Sequence, residues 1–356
     1  MPSNNSVAAV DHGKKAWCSY EPISFDIGAR IVGLNVASDE RAPIAIVGLN
    51  DGRLYRWEAL GSVDSGSFYQ SDQKDIINIS GGGTKILTTS TDGTVCLFDS
   101  DTVTLTGNIF VSEKNWPSGT SVSSDGLMGA VVAGSAITLL DLSDPTQQII
   151  MTDTVNRSFS SVEFSPARKY VAAASQGKIV LWDTASFQSQ VLNWKGSHID
   201  IFWSPDEQFV CSTTHDRELH VWNLTSGQDF RLGGFRRKIR HVSWNHVGSS
   251  LAAVSEENVV IWSLNADGGF QNTPQELGAG SDCGHCVGFA WVDEHQMIIS
   301  YEDGSILLGD CRTGSGVYLL VGSEKIAGFT HLSAIDGRNT ISANKSTIKN
   351  IKLPAE

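Results

Sequence analysis

The chain has 356 residues and a net charge of −13, an acidic balance that argues against generic binding to nucleic acid or to acidic membranes. A hydrophobic content of 40%, with 8% aromatic residues, is enough to build a globular core and excludes a disordered or fibrous chain, while 35 glycines point to many turns between short strands. The six cysteines (18, 96, 211, 283, 286 and 311) are scattered, the start lacks the basic-then-apolar order of a secretory signal, and no apolar run approaches the roughly 20 residues that span a bilayer. These features predict a protein of the reducing cytoplasm, with no membrane contact.

The start, Met1–Ser6, is polar, and residues 1–14 are expected to be a flexible N-terminal segment before a single domain over 15–356. Lys15-Ala16-Trp17-Cys18-Ser19-Tyr20 reads as a first strand. From there one phrase recurs: a turn residue, a glycine or polar residue, a short strand, a large apolar residue, then usually an acid. It reads Asp51-Gly52-Arg53-Leu54-Tyr55-Arg56-Trp57-Glu58, then Asp92-Gly93-Thr94-Val95-Cys96-Leu97-Phe98-Asp99. It returns in Gln176–Asp183 and Asp216–Asn223. The large position holds Trp57, Phe98, Leu140, Trp182, Trp222, Trp262, Gly309 and Ile351 in turn. A second position runs in step with it upstream: Val36, Ile79, Val122, Phe164, Trp203, Trp244, Trp291 and Leu332. A spacing of roughly 40 residues held in two registers marks an array of small units.

Between these positions lie short β-branched or alternating runs bounded by Gly, Pro, Asp or Ser, such as Ile44–Val47, Tyr170–Ala174 and Phe209–Thr213, which read as strands. Each unit is predicted to hold three inner strands, a, b and c, and a more polar outer strand d such as Gln188–Leu192. A lone four-stranded sheet cannot bury both faces, so neighbouring sheets must stack, and a ring removes the exposed ends.

The segments ending Leu181-Trp182-Asp183 and Val221-Trp222-Asn223, with Ser204-Pro205-Asp206, resemble the Trp-Asp (WD) repeat β-propellers over about residues 30 to 352. The resemblance implies an all-β propeller of four-stranded antiparallel blades. Eight blades are favoured, with seven as the alternative, and an N-terminal strand closes the last blade. The family's Gly-His before strand a is absent, with Asn193-Trp194 and Gly234-Phe235 near that place. The buried Asp–His–Ser/Thr–Trp network of the family is therefore not expected. Asp51, Asp92, Asp216 and Asp303 keep its turn acid, and the resemblance gives them a structural role rather than one as metal ligands.

The resemblance puts the d–a and b–c loops on one face, the top. There the run Arg231–His241 gathers five basic residues and an aromatic in an otherwise acidic chain. Phe235, Arg236, Arg237 and Lys238 are its candidate partner contacts, since Arg and aromatic side chains are enriched at interface hot spots. A solvated run paired with nearby acids is the plainer reading of the same residues. Trp116 and Trp194 fall in other top loops as further candidate contacts, or as plugs between blades. Cys283-Gly284-His285-Cys286 offers three soft-metal ligands but no second pair, so ordinary reduced cysteines are expected and no cofactor is assigned. There is no G-x-S-x-G elbow, H-E-x-x-H, P-loop or Rossmann pattern.

The expectation is thus a non-enzymatic protein–protein interaction scaffold. It would act as a monomer or as a subunit of a larger complex, and bind a protein or peptide, of acidic character if the basic run is the contact. The alternative is an enzyme or a small-ligand or metal binder that uses the central channel.

Overall fold

The computed structural model describes residues 23–38, 43–58, 66–70, 75–110, 116–152, 157–239, 241–279, 283–320, 331–334, 339–344 and 347–352. Among the described residues no helix is long and apolar enough to cross a membrane. Contacts divide the chain into two compact units, residues 28–234 and residues 235–356 with those before Gly28.

The strand β1 (Ile23–Asp26) belongs to the second unit. In the first, β2 (Ile31–Ser38), β3 (Pro43–Leu49), β4 (Arg53–Glu58) and β5 (Ser67–Gln70) form an antiparallel sheet in sequence order. The same meander repeats in β6 (Ile76–Gly82), β7 (Lys85–Ser90), β8 (Thr94–Asp99) and β9 (Thr104–Phe110). It repeats again in β10 (Pro117–Val122), β11 (Met128–Ala133), β12 (Ala136–Asp141) and β13 (Gln148–Thr152).

A six-stranded sheet follows: β14 (Phe159–Phe164), β15 (Tyr170–Asp183), β16 (Ser189–Trp203), β17 (Phe209–Thr214), β18 (Leu219–Asn223) and β19 (Asp229–Leu232). The first half of the long β15 pairs with β14 and its second half with β16, on either side of Gly177 at φ 84°. Likewise β16 pairs with β15 through residues 189–193 and Ser197, and with β17 through residues 198–203, with Gly196 at φ 138° in the register shift.

Sheets are held to their neighbours by the residues that carry the sequence repeat. Ile44, Ile46 and Leu54 of the first sheet pack on Ile76, Ile86 and Phe98 of the second. Leu87, Val95 and Leu97 then meet Val122, Val131 and Leu140, and Ala130, Ile137 and Leu139 meet Phe159, Val162 and Trp182. Ala172, Ile179 and Leu181 meet Trp203, Val210 and Trp222. Trp57, Phe98, Leu140, Trp182 and Trp222 are all 5% exposed or less, so the periodic large residue fills the space between stacked sheets.

In the second unit β20 (Val242–Trp244), β21 (Ser250–Ser255), β22 (Asn258–Ser263) and β23 (Gln275–Leu277) form one sheet. Another is built from β24 (Cys286–Trp291), β25 (Gln296–Tyr301), β26 (Ile306–Asp310) and β27 (Ser315–Leu320). Their shared core joins Val259, Ile261 and Leu277 to Phe289, Trp291, Met297 and Leu307. Gly309 stands where the repeat has a large residue. A Cβ there would lie 2.7 Å from the Leu277 side chain, so Leu277 of the preceding sheet occupies the volume the missing side chain leaves.

The last sheet has the order β1-β30-β29-β28, with β28 (His331–Ala334), β29 (Asn339–Asn344) and β30 (Thr347–Lys352). Its outer strand is β1, antiparallel to β30 in the register Ile23↔Asn350 to Asp26↔Thr347. The chain's beginning thus covers the edge that its end would leave open. The strand that does so is Ile23–Asp26, not Lys15–Tyr20, which lies outside the described residues together with residues 1–14 and Cys18. The expected eight blades, or seven, are not read directly from the sheets: among the described residues six have four strands and one has six.

Candidate functional site

The repeat acids are spent on turns. Asp51 Oδ1 accepts the Arg53 amide at 3.2 Å, Asp92 Oδ1 the Thr94 amide at 2.9 Å, and Asp303 Oδ1 the Ser305 amide at 2.8 Å. Burial pushes the Asp92 carboxyl up, but hydrogen bonds from Thr94 and Ser90 outweigh it and leave the group below the ordinary range. Asp183, the acid after Trp182, accepts the Ser186 amide at 2.7 Å and hydroxyl at 2.9 Å, which hold its carboxyl low. These carboxylates cap turns.

One b–c turn differs. Between β21 and β22, Glu256 sits at φ 36°, in the left-handed region that L side chains adopt at a cost of roughly 1–2 kcal/mol. Its carboxylate faces the guanidinium of Arg237 at 3.4 Å and that of Arg236 at 4.0 Å. Both distances exceed the 2.7–2.9 Å typical of a charge-assisted bond. Elsewhere Arg312 closes on Asp310 at 2.6 Å, and Arg231 is tightly bonded to Glu218. Arg236 and Arg237 remain 85% and 63% exposed.

Around them lies a concavity of about 590 Å³, lined by Phe235, Arg236, Arg237, Lys238, His241, Val254, Glu256, His285, Cys286, Val287 and Glu302. All of these belong to the second unit. The walls come from the segment before β20, the β21–β22 turn, the segment before β24 and the β25–β26 turn. Strand pairing aligns these four connections at one end of two neighbouring sheets. The Glu256 carbonyl accepts the Cys286 amide at 2.6 Å, and the His285 carbonyl accepts the Glu302 amide at 2.9 Å, which ties the rim together. The Nδ1 of His285 is buried and has no hydrogen-bond partner among the described residues.

Of the residues singled out from sequence, Phe235, Arg236, Arg237 and Lys238 are brought together here. Phe235 is not an exposed anchor: it is 9% exposed and packs on Trp262 with ring centroids 5.6 Å apart, so it forms the floor. Arg240 lies outside the described residues. Trp116 and Trp194 belong to the other unit. Trp116 is 71% exposed. Trp194 is half-buried in β16 and stacked on His220 at 3.8 Å, which makes it a plug. Glu256, His285 and Glu302 were not singled out as partners of the basic run, because they reach it only through strand pairing, while His241 is the last residue of that run.

Near Trp194 the structure also corrects the expectation about the family's buried network. Gly196-Ser197-His198 supplies a histidine one residue later than the usual pair. His198 is buried, its Nδ1 is 2.7 Å from Ser212 Oγ, and its Nε2 is 3.2 Å from the Trp194 carbonyl. A carbonyl only accepts, so Nε2 carries the proton and Nδ1 accepts the Ser212 hydroxyl. The ring stands 5.7 Å from Trp222. The His–Ser pair is therefore built in this sheet.

Cys283 and Cys286 are buried thiols. Cys283 Sγ lies 3.3 Å from the Tyr318 hydroxyl, and Cys286 Sγ donates to the Gly288 carbonyl at 3.7 Å. Burial pushes the Cys286 thiol up to about 12, so it carries its proton at neutral pH. Among the described residues no three His, Cys, Asp or Glu side chains are grouped to hold a metal ion, and Asp282 lies outside them.

The family model described as "WD domain, G-beta repeat" matches residues 149–183 and 189–223, which end at Trp182-Asp183 and Trp222-Asn223. Eukaryotic translation initiation factor 3 subunit I of Emericella nidulans is 23% identical over 173 residues, covering 44% of this chain and 51% of that protein. Prolyl endopeptidase FAP of Bos taurus is 25% identical over 146 residues, 36% of this chain and 19% of that one. The chromatin assembly factor 1 subunit FAS2 homolog of Oryza sativa subsp. japonica is 26% identical over 149 residues, 37% of this chain and 30% of that one. The chain spans about half the length of the initiation-factor relatives it matches. Among solved structures, the computationally designed Ika8 protein superposes with a TM-score of 0.73 at 16% identity, over 92% of this chain and 98% of that one, a likeness of fold alone. The WD repeat is matched in two successive units and four-stranded antiparallel sheets recur in both compact units, so the chain carries WD repeats and resembles the WD-repeat β-propellers.

Proposed function

We propose that this protein is a non-catalytic interaction scaffold, working as a subunit of a larger cytoplasmic assembly, whose Arg236–Lys238 concavity holds an acidic segment of a partner. The concavity carries the reading. Three consecutive cations, two of them largely exposed, line a recess with an apolar floor in a chain whose net charge is −13. An acidic molecule that concentrates positive charge in one recess selects short acidic segments and repels long polyanions. Two relatives bear the names of subunits, which supports a role within an assembly. In the same reading the six-stranded sheet is two blades joined through β16, giving eight four-stranded blades.

The test is affinity capture from native lysate with the parent and with an Arg236→Glu, Arg237→Glu variant, followed by mass spectrometry. Phe235 is kept, because it is part of the core. A near-stoichiometric protein lost from the variant is the expected result. Equal capture by both would remove this site.

A second reading rests on the first unit. Glu163 of β14 is pushed up to about 8 by burial, with the charge of Asp200 adding to the rise, and burial also raises Asp200 of β16. Two perturbed carboxyls on neighbouring inner strands suit a small-ligand or enzymatic site. A metabolite and metal thermal-shift screen, repeated on Glu163→Gln, tests it: a stabilising compound whose effect the substitution removes would favour that reading.

A further inference from the structure

Resting on the interaction reading above, we infer that the concavity is a receptor for a single phosphorylated side chain of a partner polypeptide, so that phosphoryl transfer to the partner controls the interaction. Charge and donor count separate this ligand from an ordinary carboxylate. Glu256 already sets one carboxylate between Arg236 and Arg237 at 4.0 and 3.4 Å, and Glu302 stands on the rim. The lining therefore holds three cations and two carboxylates. A further carboxylate brings one charge and two oxygens. A phosphoryl monoester brings a charge of about −1.5 to −2 and three acceptor oxygens. Planar guanidinium groups match those oxygens in pairs, and the Lys238 ammonium supplies a mobile third cation.

A separate observation points the same way. The buried Nδ1 of His285 lies in the wall of this concavity without a hydrogen-bond partner among the described residues. A buried polar atom left in that state has lost its hydration without a replacement. A turn of the imidazole that brings Nδ1 to the recess lets a phosphoryl oxygen accept its proton. Phe235, Val254 and Val287 give the stem and flanking residues an apolar floor, and about 590 Å³ accommodates a modified side chain with its neighbours. The rest of the chain disfavours a polynucleotide. A net charge of −13 repels a long polyanion, while a short segment with one phosphoryl group engages only the recess.

The experiment uses the full chain, immobilised, and four degenerate peptide libraries that differ at the central residue: phosphoserine, phosphotyrosine, serine and glutamate. A single-stranded RNA oligonucleotide is added as a fifth probe. The expected result is retention of a phosphorylated library about tenfold or more above serine and glutamate. Arg236→Glu with Arg237→Glu should abolish it, and His285→Phe should weaken it, with unfolding midpoints unchanged. Arg236→Gln serves as a milder variant if the double reversal unfolds. Retention of the glutamate library as strongly as the phosphorylated ones, and still dependent on Arg236 and Arg237, would overturn the phosphoryl inference and leave the interaction reading standing. Retention of no library by the parent would contradict both. Retention of RNA as strong as that of the phosphopeptides would overturn it in favour of a general polyanion site.

Discussion

Two segments that each lead into an inner strand, 194–198 and 235–241, use the same place in the repeat for opposite ends. In the first, Trp194 lies flat on His220 at 3.8 Å, His198 bonds Ser212 and the Trp194 carbonyl, and the space is closed by aromatic packing. In the second, a single aromatic, Phe235, is given to the core, and the next three residues stay charged around an open recess. A repeat architecture makes this division possible. Once the periodic large residues hold the sheets together, a connecting segment is free to seal its crevice or to present side chains.

The largest expected effect breaks the shared foundation. Trp182→Ala removes a 5%-exposed side chain between two sheets and should cost about 3–5 kcal/mol by denaturant unfolding. Phe235→Ala should cost about 3 kcal/mol, whereas Arg236→Glu with Arg237→Glu should leave stability within about 0.5 kcal/mol. That contrast separates the floor of the recess from its lining. If the charge reversals destabilise as much as Phe235→Ala, the recess is structural.

The sealed segment should respond to pH. Burial lowers the His220 imidazole to about 4, and the nearby His198 adds to the fall. A folded value below the ordinary 6.5 means that the unfolded chain binds more protons between the two. This contribution to stability is therefore fully present above pH 6.5 and is lost as pH falls toward 4. His220→Gln should flatten that part of the stability profile, and an unchanged slope would show that the stack does not hold the ring neutral. The smallest effect concerns a turn. Arg217 has φ 64°, where three other turns of the repeat place a glycine, Gly52, Gly93 and Gly304. Arg217→Gly should stabilise by up to about 1 kcal/mol in thermal unfolding.

The repeat was legible because stacked sheets need a large residue at a fixed spacing, and Trp57 through Trp262 show it directly. Gly309 was legible as a gap, but not that Leu277 fills it, since that contact joins two sheets. The closing strand was expected at Lys15–Tyr20 and is formed by Ile23–Asp26, because short apolar runs of similar composition compete and only pairing with β30 decides. His198 was passed over because the expected Gly-His pair is split here by Ser197. The basic run was visible, but the recess was not. Phe235 looked like an anchor since burial is not written in a loop's composition. Glu256, His285 and Glu302 come from turns 20 to 70 residues away in sequence and meet the arginines only through the sheets.

The most direct test of the interaction site is hydrogen exchange, read by mass spectrometry, on the protein alone and bound to its captured partner. New protection should appear in residues 235–239, 254–257 and 285–287 and around Glu302. Protection confined to the segment around Trp116, with those four segments unchanged, would contradict the assignment of the recess as the binding site.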